Sequence, residues 1–180
     1  MANVRRVTSD GLRPDEVQSL RDLFDEAWHH TDEVFTEDDF RHAFGGVHFL
    51  VADGPDIVGH ASVVPREVRA GEHRLATGYV EAVATRPDHQ RHGLGSAIMR
   101  EVGAYLDGTF ELGALDTGIA SFYERFGWTV WAGPTFVWMD VGPEPTPDED
   151  GSVLILRTAT TPELDPTSPL MCEWRPGDVW

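Results

Sequence analysis

The sequence predicts an α/β protein in which helices cover both faces of one central, mixed sheet, and three observations support this fold class. The chain has 180 residues, 41% of them apolar, which suits one domain with its own core. Segments of helical and strand-like periodicity alternate in the order βααβββαβαβ. No uninterrupted apolar run exceeds four residues, which excludes a transmembrane helix. We therefore expect residues 1–180 to form a single domain.

The first part of the chain predicts one strand and two helices. Residues 4–8 are typical of a short edge strand. Pro at position 14 suits the first turn of a helix, and apolar residues then recur with helical period over residues 14–30. Thr36 and Asp39 have the spacing of a capping box, which predicts a second helix that ends near residue 44 at two glycines.

The middle of the chain predicts an antiparallel meander followed by a helix. Strand-like segments at 47–52, 57–68 and 75–85 are separated by short turns rich in Gly and Pro. The polar segment 86–92 interrupts this pattern. Residues 94–106 then place apolar side chains on one helical face.

The last third alternates short elements with one polar segment. Residues 142–151 hold three prolines and four acids and predict a solvated loop. Residues 170–180 are apolar enough to dock on the core. Four strands are predicted at 110–115, 128–132, 136–141 and 153–158, and a short helix is predicted at 120–126, ended by Gly127.

Composition excludes several classes of function. There are 14 basic and 31 acidic residues, and every basic residue is Arg. Without Lys, neither a Walker A loop nor a Schiff base can form. A net charge of −17 argues against nucleic acid and against anionic membrane surfaces as partners. The single cysteine, Cys172, cannot form an intramolecular disulfide, so we expect a reducing, cytoplasmic location.

Residues 90–95, Gln-Arg-His-Gly-Leu-Gly, lead from a predicted strand into a predicted helix. A helix start presents unpaired N–H groups and a positive dipole end, which together bind anions. Gly93 and Gly95 let a phosphate approach the backbone, and Arg91 and His92 add charge at the rim. The expected ligand is a pyrophosphate. A dinucleotide fold is disfavoured because position 98 is Ile, not the third Gly of that fingerprint.

This segment resembles motif A of the GNAT acetyltransferases, Gln/Arg-x-x-Gly-x-Gly/Ala after a strand, with Gln90, Gly93 and Gly95 at the defined positions. From Phe35 onward the chain also resembles the aminoglycoside 2′-N-acetyltransferases. The segments that carry this resemblance are 78–84, 111–115, 123–128, 133–135, 146–151 and 170–180. It implies a GNAT fold, acetyl-CoA as donor, a cationic aminoglycoside as acceptor and a homodimer.

The same resemblance implies a role for individual residues. Glu81 and Tyr123 would be catalytic, as base and as proton donor to the thiolate. Acetyl-CoA would be held by Val83, Ala84, Thr85, Gln90, Arg91, His92, Gly93, Leu94 and Gly95. The acceptor would be bound by Asp32, Glu33, Glu81, Ala82, Asp116, Asp148, Glu149 and the carboxylate of Trp180. Asp32 or Glu33 would replace a family Asp at the position of Val34.

Each of these roles has a structural alternative. Glu81 could pair with an Arg, and Tyr123 could pack in the core. No third ligand lies close to His89 and His92 in sequence, so no metal site is expected. Three explanations of the acidic excess stay open: a solvated face, adaptation to high salt, and steering of a polycation. Among the acids, we favour the loop residues 148–150 for function and most helix residues for solvation. For the whole protein, two alternatives remain: a GNAT enzyme acting on another polyamine or aminosugar, and a non-catalytic module that binds CoA or aminoglycoside.

Overall fold

The computed structural model describes residues 3–29 and 35–180, in which it contains ten strands and four helices. The strands are β1 Arg5–Thr8, β2 Val47–Asp53, β3 Asp56–Ala70, β4 His73–Thr85, β5 Leu112–Asp116, β6 Thr129–Val130, β7 Thr135–Met139, β8 Gly142–Pro145, β9 Val153–Arg157 and β10 Leu170–Glu173. The helices are α1 Pro14–Trp28, α2 Glu37–His42, α3 Leu94–Asp107 and α4 Ala120–Glu124. The pairs β4–β5 and β10–β7 are parallel and the pairs of β2, β8 and β9 are antiparallel, so the sheet is mixed, as predicted.

The contacts of the chain group into two compact units. The first unit comprises Met1–Val64 and Val80–Val102, and the second comprises Pro65–Tyr79 and Gly103–Trp180. Strands β3 and β4 and helix α3 each contribute one part to each unit.

In the first unit, β1 pairs with β2 and β2 with β3, all antiparallel. Leu50 of β2 packs in a cluster with Leu20 and Phe24 of α1. The next residue, Val51, lies beside Gly59 of β3, next to α3. Consecutive residues of a strand point to opposite faces, so helices lie on both faces of this part of the sheet, as predicted. The capping box of Thr36 and Asp39 at the start of α2 is also confirmed.

In the second unit, the strands are ordered β6-β9-β5-β4-β3-β10-β7-β8. Strand β9 is buried between β5 and β6, and β10 lies between β3 and β7. Gly113 of β5 has no room for a side chain, because a Cβ atom there would lie 2.8 Å from Leu106 and 3.1 Å from Trp128. A glycine at this position therefore allows α3 and the indole of Trp128 to pack directly on the strand.

Two sequence predictions for the second unit were wrong in part. Residues 142–151 are not all loop, because β8 pairs antiparallel with β7. Strand β8 is an edge, where proline is tolerated because one side of the backbone makes no ladder bonds. The strand predicted at 128–132 is shorter and comprises only Thr129–Val130. The prediction that residues 170–180 dock is confirmed, since β10 joins the sheet and Trp180 is 3% exposed.

Candidate active site

The predicted site residues fall into two groups, one in each unit. The first unit contains Glu81 to Thr85 and the segment 90–95, and the second contains the remaining described residues, from Asp116 to Trp180. Asp32, Glu33 and Val34 lie outside the described residues, so the prediction of an acid there stays a prediction.

The end of β4 has an unusual backbone at Ala82. Its φ is 48°, in the left-handed region, which costs an Ala roughly 1–2 kcal/mol. Two side chains of β3 reach this point: His60 Nδ1 lies 2.7 Å from the carbonyl oxygen of Ala82, and Ser62 Oγ lies 3.5 Å from that of Glu81. Glu81, Ala82 and Val83 are half-buried. The strand is therefore irregular at the residues predicted to contact the reacting groups.

The segment between β4 and α3 has the properties of an anion site. Gly93 has a φ of 82°, and a Cβ atom at this residue would meet nothing within 4 Å. Its carbonyl accepts the N–H of Ala97 at 3.0 Å, which places Gly93 at the start of α3. Arg91 is also left-handed, with a φ of 63°. The first N–H groups of an α-helix lack a carbonyl partner one turn earlier, so those of Leu94 and Gly95 can bind a phosphate beside the exposed, side-chain-free Gly93.

The predicted residues of this segment also contact one another. Gln90 Nε2 donates to the carbonyl oxygen of Thr85 at 3.3 Å, so its side chain ties the segment to the end of β4. Leu94 and Gly95 belong to the first turn of α3 rather than to the loop. Arg91, His92 and Gly93 are exposed.

Ion pairs hold the beginning of this segment in place. Arg86 bonds to Glu26 of α1 at 2.6 and 2.8 Å and lies 3.6 Å from Asp56. His89 lies 2.7 Å from Asp88 and 3.3 Å from Asp53 of β2. The hydrogen bond with Asp88, followed by that with Asp53, raises the pKa of His89 above its ordinary value. His89 is thus an anchor for the loop.

Sequence reasoning missed two buried histidines of the first unit, His48 of β2 and His60 of β3, both 0% exposed. His48 Nδ1 lies 2.9 Å from His60 Nε2. Burial lowers the pKa of His48 to about 4 and that of His60 to about 3, with repulsion from His48 adding to the effect at His60. The available signal was a polar residue inside each of two strongly apolar strands.

Tyr123 lies in α4 of the second unit and is 6% exposed. Its ring contacts those of Phe122 and Trp128, with centroid distances of 4.9 and 6.4 Å. Burial raises the pKa of Tyr123 to about 12; Asp116 raises it further and a hydrogen bond with Thr117 opposes the shift. Its hydroxyl is therefore protonated at neutral pH and able to donate a proton.

Acidic side chains of the second unit gather around Glu149. Burial raises the pKa of Glu149, and the charges of Asp116 and Asp178, followed by Asp148, raise it further. Asp116, Asp148 and Glu149 were predicted site residues, and the structure brings them together. Asp178 was missed, although it precedes Trp180 by two residues in the segment that carries the resemblance. The repulsion between these carboxylates, which raises the pKa of Glu149, would be relieved by a cationic ligand.

Asp150, one of the loop acids predicted to be functional, makes structural hydrogen bonds, and its functional role stays a prediction. Its Oδ1 accepts the backbone N–H of Thr135 at 2.8 Å and lies 2.9 Å from the hydroxyl of the same residue. Trp180 is close to this cluster, because its indole Nε1 donates to Thr146 Oγ1 at 3.0 Å. Arg175 Nη2 donates to the main-chain oxygen of Trp180 at 3.1 Å, which holds the last residue in place.

Within residues 3–29 and 35–180, no helix has the length and hydropathy needed to cross a membrane. Within the same ranges, no three His, Cys, Asp or Glu side chains are arranged to hold a metal ion.

The chain is similar in sequence to known acetyltransferases. Residues 9–131 match the family model of the acetyltransferase (GNAT) domain. An aminoglycoside 2′-N-acetyltransferase of Mycolicibacterium fortuitum is 39% identical over 151 residues, which are 81% of this chain and 77% of that protein.

Solved structures show the same fold. The GNAT family N-acetyltransferase YhbS of Escherichia coli, solved in complex with CoA, has a TM-score of 0.66 at 13% identity and covers 95% of this chain and 89% of its own. A GNAT family acetyltransferase of Brucella melitensis, solved with acetyl-CoA, has a TM-score of 0.61 at 17% identity, with 94% and 96% covered. Some other matched structures are longer chains, of which this chain spans about a third. The chain therefore belongs to the GNAT acetyltransferase family, and within it is related by sequence to an aminoglycoside 2′-N-acetyltransferase.

Proposed function

We propose that this acetyltransferase transfers the acetyl group of acetyl-CoA to the 2′-amine of aminoglycosides and so confers resistance to them. The observation that carries the choice of acceptor is the acidic group around Glu149, with Asp116, Asp148 and Asp178. An aminoglycoside is a polycation, and its ammonium groups would relieve the mutual repulsion of these carboxylates. The sequence relation to the Mycolicibacterium fortuitum enzyme supports the same acceptor.

In the first unit, we assign acetyl-CoA binding to the end of β4 and the start of α3. Gly93 and the first-turn N–H groups from Leu94 and Gly95 would hold the pyrophosphate, with Arg91 and His92 at its rim. The open space beside Gly93 fits a phosphate at close range. Backbone groups of residues 83–85 would bind the pantetheine arm, and Gln90 would hold this segment in register through Thr85.

The reaction forms a bond between the 2′-nitrogen and the acetyl carbon and breaks the bond between that carbon and sulfur. Glu81 would accept the proton of the amine through a water molecule, and the N–H of Val83 would polarise the thioester carbonyl. Tyr123 would give its proton to the departing thiolate; its raised pKa keeps that proton in place until the thiolate forms. Ala82 would border the amine. Acetylation removes one positive charge, which weakens binding of the drug to RNA.

Two further parts of the proposal concern the protein in the cell. We assign it to the cytoplasm, where it would act on aminoglycosides rather than on nucleic acid or membranes. We also propose a homodimer. Trp138 of β7 and Trp174 are 41% and 53% exposed, and the N–H of Trp174 donates to the carbonyl oxygen of Trp138 at 3.2 Å. Large aromatic side chains that stay exposed suit a subunit interface. Light scattering of the purified protein tests this assignment.

The decisive test of the acceptor compares kanamycin B with kanamycin A, which differ only in having an amine or a hydroxyl at position 2′. Mass spectrometry after incubation with acetyl-CoA should show one added acetyl group on kanamycin B and none on kanamycin A. Acetylation of both drugs would contradict the 2′ position and leave acetyl transfer intact. Acetylation of neither drug, together with turnover of another polyamine, would favour the alternative acceptor class. Tight binding of either ligand without turnover would favour the non-catalytic module.

A further inference from the structure

A chain of hydrogen bonds crosses the interior of the first unit and ends on Ala82. Ser9 Oγ lies 2.8 Å from His48 Nε2, His48 Nδ1 lies 2.9 Å from His60 Nε2, and His60 Nδ1 lies 2.7 Å from the carbonyl oxygen of Ala82. We call Ser9, His48 and His60 the imidazole chain. It starts just after β1, passes through β2 and β3 and reaches β4.

The hydrogen atoms of the imidazole chain can be assigned from its end at Ala82. The carbonyl oxygen of Ala82 only accepts, so His60 must carry its hydrogen on Nδ1. His60 Nε2 then accepts from Nδ1–H of His48, and His48 Nε2 accepts from the hydroxyl of Ser9. The oxygen of that hydroxyl accepts the N–H groups of Gly45 at 3.0 Å and Gly46 at 3.3 Å, and the carbonyl oxygen of Gly46, also 3.3 Å away, is a second acceptor for its hydrogen. The three bonds therefore point in one direction, toward Ala82.

The surroundings of the imidazole chain keep both rings neutral. His48 and His60 are fully buried, and burial lowers the pKa of each well below neutrality. The ring of Phe24 lies 5.0 Å from that of His60, and the ring of Phe44 lies 5.0 Å from that of His48. A neutral imidazole has one donor and one acceptor nitrogen, and each ring uses both of them within the chain.

The bond to Ala82 acts on more than one atom, because a carbonyl group shares its peptide plane with the N–H of the next residue. The described residues contain no cis peptide bond, so the N–H of Val83 points opposite to the carbonyl of Ala82. We propose that the imidazole chain is a positioning device that fixes this peptide plane and thereby aims the Val83 N–H. The inference rests on the proposed function, in which that N–H polarises the thioester carbonyl.

The left-handed backbone of Ala82 explains why such a device would be needed. A left-handed Ala is strained, and without a partner for its carbonyl the segment would relax toward an ordinary extended strand. Relaxation would rotate the Val83 N–H away from its present direction. A hydrogen bond on the carbonyl also polarises the peptide group, so its N–H becomes a stronger donor.

The first test changes His60 and measures both kinetic constants. His60→Leu removes the donor, whereas His60→Asn keeps an amide nitrogen at the place of Nδ1. Because the Val83 N–H would act mainly in the transition state, His60→Leu should lower kcat at least about tenfold and change the KM of acetyl-CoA by a smaller factor. His60→Asn should restore most of kcat. Val63→Ala, at another buried position of β3, is the control for lost packing and should keep kcat.

The second test changes Ser9, at the far end of the imidazole chain, and uses NMR spectra of the protein without substrates. Long-range ¹H–¹⁵N spectra should show the Nδ1–H tautomer for both His48 and His60. Ser9→Ala should remove the donor to His48 Nε2, weaken the two remaining bonds of the imidazole chain and so shift the amide resonance of Val83. Ser9→Thr keeps the hydroxyl and should reproduce the wild-type spectrum. Ser9 touches no residue of the proposed site, so this effect cannot come from direct loss of a catalytic group.

The outcomes separate this inference from the proposed function. If no aminoglycoside is acetylated, the proposed function fails, and the spectra alone decide whether the imidazole chain fixes the peptide plane. An Nε2–H tautomer of His60, or a Val83 resonance that Ser9→Ala leaves unmoved, would overturn the inference. So would a His60→Leu variant that folds and keeps the kcat of an active wild-type enzyme.

Discussion

The indole Nε1 of Trp180 donates a 3.0 Å hydrogen bond to Oγ1 of Thr146, the residue that precedes the short turn Pro147–Glu149. Thr146 in turn contacts β7, since its Oγ1 lies 2.8 Å from Thr135 Oγ1 and its N–H donates to the Thr135 carbonyl oxygen at 2.9 Å. The last residue of the chain thus holds the base of the turn that carries two of the proposed acceptor-binding acids.

This relation predicts a specific effect of Trp180→Phe. The variant keeps an aromatic ring but loses the donor to Thr146, so the free energy of unfolding should fall by about 1 kcal/mol. The acceptor KM should rise because the acidic turn loses its support, while the KM of acetyl-CoA stays constant. Trp131→Phe is the matched control, since Trp131 Nε1 donates at 2.9 Å to the carbonyl oxygen of Ser168 instead. Equal acceptor KM values for both variants would contradict the role of Trp180.

Tyr123→Phe removes only the proposed proton donor. Its ring stays buried among Phe122 and Trp128, so Tm should change little. Loss of a general acid should lower kcat by roughly 10²- to 10⁴-fold. Tyr105→Phe makes the same chemical change on α3 and should leave kcat as it is. An unchanged kcat in Tyr123→Phe, measured under conditions where chemistry limits the rate, would assign the hydroxyl to packing alone.

Asp178→Asn removes one charge from the acidic group. Because Asp178 raises the pKa of Glu149, the pKa of Glu149 should fall, which carboxyl ¹³C titration can measure. Loss of one charge-assisted contact should raise the KM of kanamycin B about tenfold or more, while the KM of acetyl-CoA stays unchanged. Asp140→Asn, at an exposed acid after β7, is the control for net charge. A similar KM increase in the control would show that only long-range attraction is involved.

Gly93→Ala tests the proposed pyrophosphate site. The substitution introduces a methyl group where a phosphate would approach and strains a residue with a φ of 82°. Gly54→Ala is the control for backbone strain. Gly54 has a φ of 61° and equally open space around it, but it lies in the turn between β2 and β3. Both variants should lose similar stability. Only Gly93→Ala should raise the KM of acetyl-CoA. An increase of this KM in both variants would show that backbone strain alone weakens acetyl-CoA binding.

The buried histidines predict how stability depends on pH. His48 and His60 have folded-state pKa values of about 4 and about 3, against an ordinary 6.5. Between pH 6.5 and about 4 the unfolded chain binds protons that the folded protein excludes, so the free energy of unfolding falls as pH falls. The slope is at most about 1.4 kcal/mol per pH unit for each histidine.

Urea unfolding at several pH values between 7.5 and 4.5 measures this slope. His89 acts in the opposite sense, because its raised pKa gives stability below pH 6.5 that is lost as pH rises through its folded-state pKa. His60→Asn removes one of the two buried groups and should flatten the decline. A decline that is equally steep in this variant would assign the acid sensitivity to other groups.

The sequence predicted those parts of the fold that depend on neighbouring residues. The capping box of Thr36 and the start of α1 at Pro14 follow from local hydrogen bonding and backbone geometry, and both were correct. The glycine-containing segment before α3 was also predicted, because its motif lies within a few consecutive residues. Strand β8 was missed because its prolines favour a loop, and only pairing with β7 makes it a strand.

The interior of the site was harder to predict. Nothing about an Ala between Glu and Val indicates a φ of 48°, since the constraint comes from His60, which lies 22 positions earlier in the chain. His48 and His60 become partners only through the register of β2 on β3. The group around Glu149 likewise brings together acids from β5, the turn after β8 and the end of the chain.

The placement of β10 determines the order in which the second unit can assemble. Leu170 pairs with Ala70 on one side and with Thr135 on the other, so β7 and β8 join the rest of the sheet through a strand made about 100 residues after β3. During synthesis the edge of β3 at residues 68–70 therefore stays open until residues 170–173 have left the ribosome. An open strand edge invites pairing with other chains, so a nascent chain stalled before β10 is the species most exposed to aggregation and most in need of a chaperone.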